Sequence, residues 1–253
     1  MQHFLLILHS FSLQFKLFPK IKGGYEWSAE DYRWVHVRKF KIFDYPNKKV
    51  LFHIFNFVFT FFQVYLLMGL VMPMWFIQTN VTNKFYKHQE PFNYLDGTLV
   101  VSFFIFFAIE SIADQQQWLF QTNKYKWIDS QKRKEKTNFS SEEIEEFKRG
   151  FLTKGLFRFT RHPNFFAEIS LWWIIYGFSI SSQYSKLQNN FECSILINYS
   201  ILAPFFLNLL FHGSTDLTEK ITLSKYPKYV EYQSRVSRLF PFLIIPRKSI
   251  KSD

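Results

Sequence analysis

The chain is poor in the residues that build several common sites. Among 253 residues it has one cysteine, Cys193. A lone thiol excludes an internal disulfide and a cysteine-based metal cluster. The seven histidines show no HExxH or other ligand spacing, which speaks against a metal centre. No nucleic-acid-binding motif accompanies the net charge of +11, so that charge needs another explanation. The N-terminus lacks a secretory cleavage site. No internal repeat is evident.

What is present is aromatic and apolar. Phenylalanine alone occurs 34 times, and mean hydropathy is near zero only because Phe-rich runs alternate with Lys-rich loops. Four runs are long enough to cross a hydrocarbon layer, at about 17–25 residues each. They cover about residues 51–77, 94–113, 165–182 and 193–211. The expected fold is an all-α, polytopic membrane helix bundle with about four transmembrane helices plus interfacial helices.

Loop charge then predicts orientation. The segment before the first span, the 114–164 segment and the C-terminal tail hold 9, 11 and 8 Lys/Arg, whereas the two other loops hold only Lys84, Lys87 and Lys186. The basic segments are expected on one side, cytosol or mitochondrial matrix. Anionic lipid headgroups on that side explain the net charge.

Residues 1–24 read as an interfacial amphipathic helix, because Phe4, Leu8, Phe11, Phe15 and Phe18 share a stripe. No acidic residue occurs before Glu26, and Lys16, Lys20 and Lys22 are basic. This resembles a mitochondrial targeting helix, although arginine is absent. Between the second and third spans, Ser140 and Glu143 form a capping box ahead of Ile144, Phe147 and Phe151, which predicts a short amphipathic helix. Residues 243–253 are a basic tail.

The polar constellation lies at the basic-side ends of two spans. Pro163 suits the first position of a helix, so the third span is expected to begin there. Arg158, Arg161 and His162 precede that helix end, where unpaired N–H groups and the dipole favour an anion such as phosphate. Asn164 and Glu168 then share a face at i and i+4. On the second span, Glu110, Asp114 and Gln117 line one face. Carboxylates inside apolar segments need partners. Together these are groups suited to ribose hydroxyls, a carboxamide and phosphates. After the fourth span come Tyr226, Tyr229, Tyr232 and Arg235, an aromatic-plus-arginine set that could cover an adenine or a substrate. The competing reading makes these groups snorkelling anchors and static pairs within a bundle.

Four stretches in order, "ESIADQQ", "KGLFRFTRHPNFFAEISLWW", "APFFLNLLFHGSTDLTEK" and "YPKYVEYQSRVSRLFP", resemble the steroid 5-alpha-reductase-like integral membrane family in its C-terminal domain. "WSAEDYRWVHVRKF" resembles the segment ahead of them, so the resemblance covers roughly residues 25–242. It implies NADP(H) bound in the basic-side half of the membrane domain. By motif position it places Glu110, Asp114, Arg161, His162, Asn164, Glu168, Tyr229 and Arg235 around that cofactor. The RHPN…E core also resembles isoprenylcysteine and phospholipid methyltransferases, which bind S-adenosylmethionine; the upstream Glu-x3-Asp-x-Gln favours the reductase side.

Family members typically carry further spans ahead of the "EDYRW" segment, which supply the residues that hold the substrate carbonyl. Only about 25 residues stand there in this sequence. The resulting expectation is a non-catalytic accessory subunit of a larger membrane complex, with the mitochondrial respiratory chain and inner membrane as the specific assignment and a nucleotide pocket retained. The alternatives are an active NADPH-dependent reductase of a lipid or sterol-like enone and, behind it, a membrane methyltransferase. The expected partners are the lipid bilayer and other membrane subunits, not nucleic acid.

Overall fold

The computed structural model describes residues 48–82, 92–136, 138–186 and 196–241. The expected N-terminal interfacial helix and the basic tail lie outside these residues, as does most of the stretch between Lys186 and Asn198. Six α-helices occur among the described residues: α1 (Lys48–Thr82), α2 (Tyr94–Arg133), α3 (Ser141–Arg149), α4 (Pro163–Lys186), α5 (Leu202–Lys225) and α6 (Tyr229–Arg235). Short 3-10 turns occupy Gly155–Arg158 and Tyr199–Ile201. The extended pairing among the described residues is one parallel bridge, Thr160 with Ser237. This is an all-α membrane fold.

Among the described residues, three helices are long and apolar enough to cross a membrane, within Val50–Thr79, Tyr94–Arg133 and Pro163–Tyr184. They contain the first three expected spans. The fourth differs. Its helix starts at Leu202, because Asn198 caps a 3-10 turn by accepting from the Ser200 N–H. It then runs past Phe211 through Asp216 and Glu219 to Lys225. Its first fourteen residues hold no Asp, Glu, Lys or Arg, and in the remainder Glu219 pairs with Arg161 in a buried fork and Asp216 with Arg238 in a partly exposed pair. The second span also ends later than hydropathy predicts. After Ala113 the helix continues for five more turns to Arg133, because Ala113, Phe120 and Lys124 still face a packed interior.

The chain divides into two compact units. Unit one takes residues up to Ile105 together with Ile169–Ser214; unit two takes Phe106–Glu168 together with residues from Thr215 onward.

In unit one, Leu66 and Leu70 of α1 pack on Ala203 and Leu207 of α5, with Trp172 against them. A Cβ on Gly69 would come within 2.9 Å of the Ala203 side chain. Such small-on-small approach is how helices pack where lipid supplies no hydrophobic drive. The start of α2 is tied to α4 by Asn93, whose amide donates to Ser181 Oγ at 2.9 Å, and by the Tyr94 and Tyr184 hydroxyls, 2.6 Å apart.

In unit two, α3 is stitched at both ends. Ser140 and Glu143 cap it reciprocally, as their spacing predicts. Gly150 ends it with φ +91°, and a Cβ there would meet the Tyr226 ring at 2.1 Å. Phe147 seats among Phe120, Trp127 and Phe139. Lys124, 5% exposed, donates to the Gly150 carbonyl at 3.1 Å.

Candidate functional site

All eight residues singled out from the sequence lie in unit two. The site is built around the segment from Phe159 to Asn164, which is held by the strand-like stretch Val236–Leu239. The Arg161 N–H donates to the Ser237 carbonyl at 2.9 Å and the His162 N–H to the Arg238 carbonyl at 3.2 Å. The Thr160 hydroxyl lies 2.9 Å from the Leu239 carbonyl oxygen and donates there. These bonds satisfy backbone groups that precede a helix and would otherwise be orphaned. Pro163 then opens α4 without needing its N–H.

Arg161 does not point outward. It is 8% exposed and forms a fork on Glu219 of α5, with Nε to Oε1 at 2.6 Å and Nη2 to Oε2 at 3.1 Å. Its Nη1 donates to the carbonyls of Gln233, at 3.0 Å, and Val236. Each of its nitrogens donates to the protein. His162 Nε2 lies 3.2 Å from the same Glu219 oxygen, and Gln233 Nε2 donates to the other at 2.8 Å. Three side chains from two elements thus converge on one carboxylate of α5, which is 1% exposed. Burial alone would raise the Glu219 pKa. Hydrogen bonds from His162 and Arg161, with the Arg161 charge, outweigh that and hold it at about 2. A fork of this kind is the strong form of ion pair, and it stabilises a buried carboxylate only with its remaining lone pairs filled, as they are here.

A second cluster adjoins it. The Asn164 amide at the start of α4 donates to Asp114 Oδ1 of α2 at 3.0 Å. The start of α4 and the middle of α2, which the sequence pairs by residue type, therefore meet. One turn away on each helix stand Glu110, fully buried, and Glu168, partly buried. Two residues past Asp114, Gln116 Oε1 accepts from the Leu156 N–H at 3.0 Å, which fixes the 3-10 turn leading into the arginine–histidine segment. Gln116 is the glutamine of the Glu-x3-Asp-x-Gln motif, whereas the helical spacing points to Gln117.

The tyrosines of α6 face the interior of unit two. Tyr229 and Tyr232 are buried against Phe151, with ring centroids 4.9 and 5.6 Å away. The Tyr232 hydroxyl donates to the Phe157 carbonyl. Burial first, and for Tyr229 next the Glu219 charge, pushes both phenols above their ordinary pKa, so they stay neutral. Arg235, in the last turn of α6, is exposed, as is Arg158. Arg238 pairs with Asp216.

Sequence reasoning missed Glu219, Gln233 and the Thr160–Ser237 bridge. For Glu219 a signal existed. Asp216 and Glu219 are acids three apart in a helix whose first half is apolar, and both meet arginines. For Gln233 and the bridge no local pattern points to the partner.

Comparison with known proteins gives a family without an assigned activity. The family model described as a protein of unknown function (DUF1295) matches residues 1–236. An uncharacterized protein of Schizosaccharomyces pombe is 36% identical over 224 residues, 88% of this chain. The chain spans 58% of that relative's length. No solved structure matches. With a family match across nearly its whole length, the chain belongs to the DUF1295 family, which is related to steroid 5-alpha-reductase-like proteins.

Proposed function

We propose that the polar end of unit two binds a nicotinamide dinucleotide, NADP(H), and that the chain is the cofactor-binding part of a membrane reductase acting on a polarised carbon–carbon double bond of a lipid or sterol-like molecule. The observation that carries this reading is the Asp114–Asn164 hydrogen bond, with Glu110 and Glu168 one turn away on each helix. Carboxylates accept from ribose hydroxyls, and an asparagine amide matches a carboxamide donor for acceptor. The donor set therefore fits the dinucleotide's sugar and amide groups. Arg158 and Arg235 are the exposed cations suited to its phosphates. Arg161 suits the role of a brace, since it already donates to Glu219 and two carbonyls.

When bound, NADPH supplies a hydride. The chain's own contribution is orientation. The Asp114–Asn164 pair fixes the start of α4 against the middle of α2, and the Arg161–Glu219 fork fixes the loop that leads into α4. Residues so braced hold a ligand without reorganising, which is where most electrostatic catalysis originates.

A second reading, an accessory subunit of a larger membrane assembly such as a respiratory complex of the mitochondrial inner membrane, takes its support from α1. Phe57, Tyr65, Leu67 and Trp75 there are each more than half exposed. Lipid covers such a flank as well as a protein partner does, so it ranks second. A methyltransferase using S-adenosylmethionine ranks third, on the RHPN…E core alone.

Turnover by the full chain in proteoliposomes separates them. NADPH-dependent loss of an α,β-unsaturated lipid ketone is the expected result. Stoichiometric co-purification with other membrane proteins and no turnover favours the subunit. Methyl transfer from S-adenosylmethionine favours the third reading. Glu168→Ala is expected to abolish nucleotide retention while leaving folded protein, and equal retention would count against the cofactor site.

A further inference from the structure

We propose that Glu219 is a positioning residue that fixes the tautomer of His162, so that the ring offers Nδ1 to the molecule bound beside the Asp114–Asn164 pair. Glu219 is fully buried, faces a guanidinium fork from Arg161, and receives the Gln233 amide. A carboxyl in that setting is ionised, and an ionised carboxylate only accepts. The His162 atom 3.2 Å from Oε1 is Nε2, so Nε2 must carry the hydrogen. In the neutral ring the lone pair is then on Nδ1.

Nδ1 makes no hydrogen bond among the described residues, where the ring's other contact is a stack on Phe165, with centroids 5.6 Å apart. The backbone on both sides of the ring is fixed as well. The His162 N–H donates to Arg238, and its carbonyl accepts the Phe166 N–H as the first bond of α4. His162 is two residues from Asn164, whose amide reaches Asp114. Backbone, ring plane and proton position are thus set together by groups that would touch no ligand. This is the arrangement in which a second residue selects the tautomer and so decides whether a histidine accepts or donates at its working nitrogen. The charged groups packed around the ring are Arg161 and Glu219, with the Arg238–Asp216 pair on the neighbouring strand-like stretch and α5.

A neutral ring of this tautomer accepts at Nδ1 from an amide or hydroxyl donor. The identification of that donor with a dinucleotide group rests on the proposed function; the tautomer does not. The two are therefore tested separately.

The test is nitrogen-15 NMR of ring-labelled histidine in the full chain in nanodiscs, in alkaline buffer and without nucleotide. Comparison with His162→Gln assigns the signal. The expected result is a pyrrole-type shift at Nε2 and a pyridine-type shift at Nδ1 in the wild type. Glu219→Asp, which keeps the carboxylate, is expected to retain that pattern, and Glu219→Gln to lose it to a mixture of tautomers. A wild-type ring protonated on Nδ1 instead overturns the proposal, and this arm holds even where Glu219→Gln does not fold. A folded Glu219→Gln with the wild-type pattern also overturns it. NADPH titration of the same samples reports on the proposed function alone, since a fixed tautomer without nucleotide binding would leave this inference standing and sink the other.

Discussion

A carboxylate with a pKa near 2 in the middle of a polar cluster has a measurable consequence for stability. Glu219 titrates well below the ordinary carboxylate value of 4.5 because the His162 and Arg161 hydrogen bonds outweigh the cost of its burial. A lowered folded-state pKa stabilises the fold fully above the ordinary carboxylate range, and that stabilisation disappears as pH falls from about 4.5 towards about 2. The linked free energy is about 3 kcal/mol. Thermal unfolding in detergent should be flat from neutral pH to about 5 and fall below it, and Glu219→Gln should flatten the acid limb. Removing the partner by Arg161→Ala leaves a buried carboxylate short of its charge and should cost about 3–5 kcal/mol at neutral pH. Equal acid limbs in wild type and Glu219→Gln would show that the pair is not where the acid sensitivity resides. Arg161 and His162 were legible in the sequence as polar groups at a span boundary. Their partner was not, since Glu219 stands 58 residues away and no local spacing links it to them.

Elements were legible in proportion to how local their causes are. The capping box of α3 depends on residues three apart, and it formed as written. Ser140→Ala should cost about 0.5–2 kcal/mol and raise amide exchange across Ser141–Arg149 selectively. The other end of that helix depends on a glycine in the left-handed region with an aromatic ring against it. Gly150→Ala meets both the strained φ and the Tyr226 ring, and should destabilise by at least about 1 kcal/mol in the same exchange measurement. If either substitution leaves α3 exchange unchanged, the helix is held from elsewhere. Hydropathy predicted where the apolar part of each span lies but not where its helix ends. α2 runs to Arg133 because Phe120 and Lys124 pack inward, and α5 carries two acids because arginines meet them. Both outcomes are set by tertiary contacts that an apolar window does not see.

At the scale of the whole molecule, two physical environments divide the chain. The outward-facing residues of α1 are mostly large and apolar, Phe57, Tyr65, Leu67 and Trp75 among them, a surface suited to lipid or a partner. The basic surplus lies in the 114–164 segment and the flanking regions. Charge bias of this kind sets orientation. In a Cys193→Ser background, single cysteines at Lys132 and Lys228 should be labelled from the same side of the membrane, and one at Lys87 from the other. Labelling of Lys132 and Lys228 positions from opposite sides would overturn the orientation. The convergence of α2 and α4 on one polar cluster was legible because acids and amides recur at helical spacing just past the apolar part of one span and at the start of the other. That Tyr229 and Tyr232 pack inward on Phe151 was not, since a tyrosine at a membrane boundary satisfies an interfacial pattern and a buried one equally well. The central claim is that this cluster holds a nicotinamide dinucleotide, and equilibrium titration of the purified full chain in nanodiscs with NADPH tests it most directly. Saturable binding by the wild type is expected, weakened at least about tenfold, or 1.4 kcal/mol, in Asn164→Ala and Asp114→Ala proteins that melt close to the wild type. Folded wild-type protein that shows no saturable binding of NADPH would contradict it.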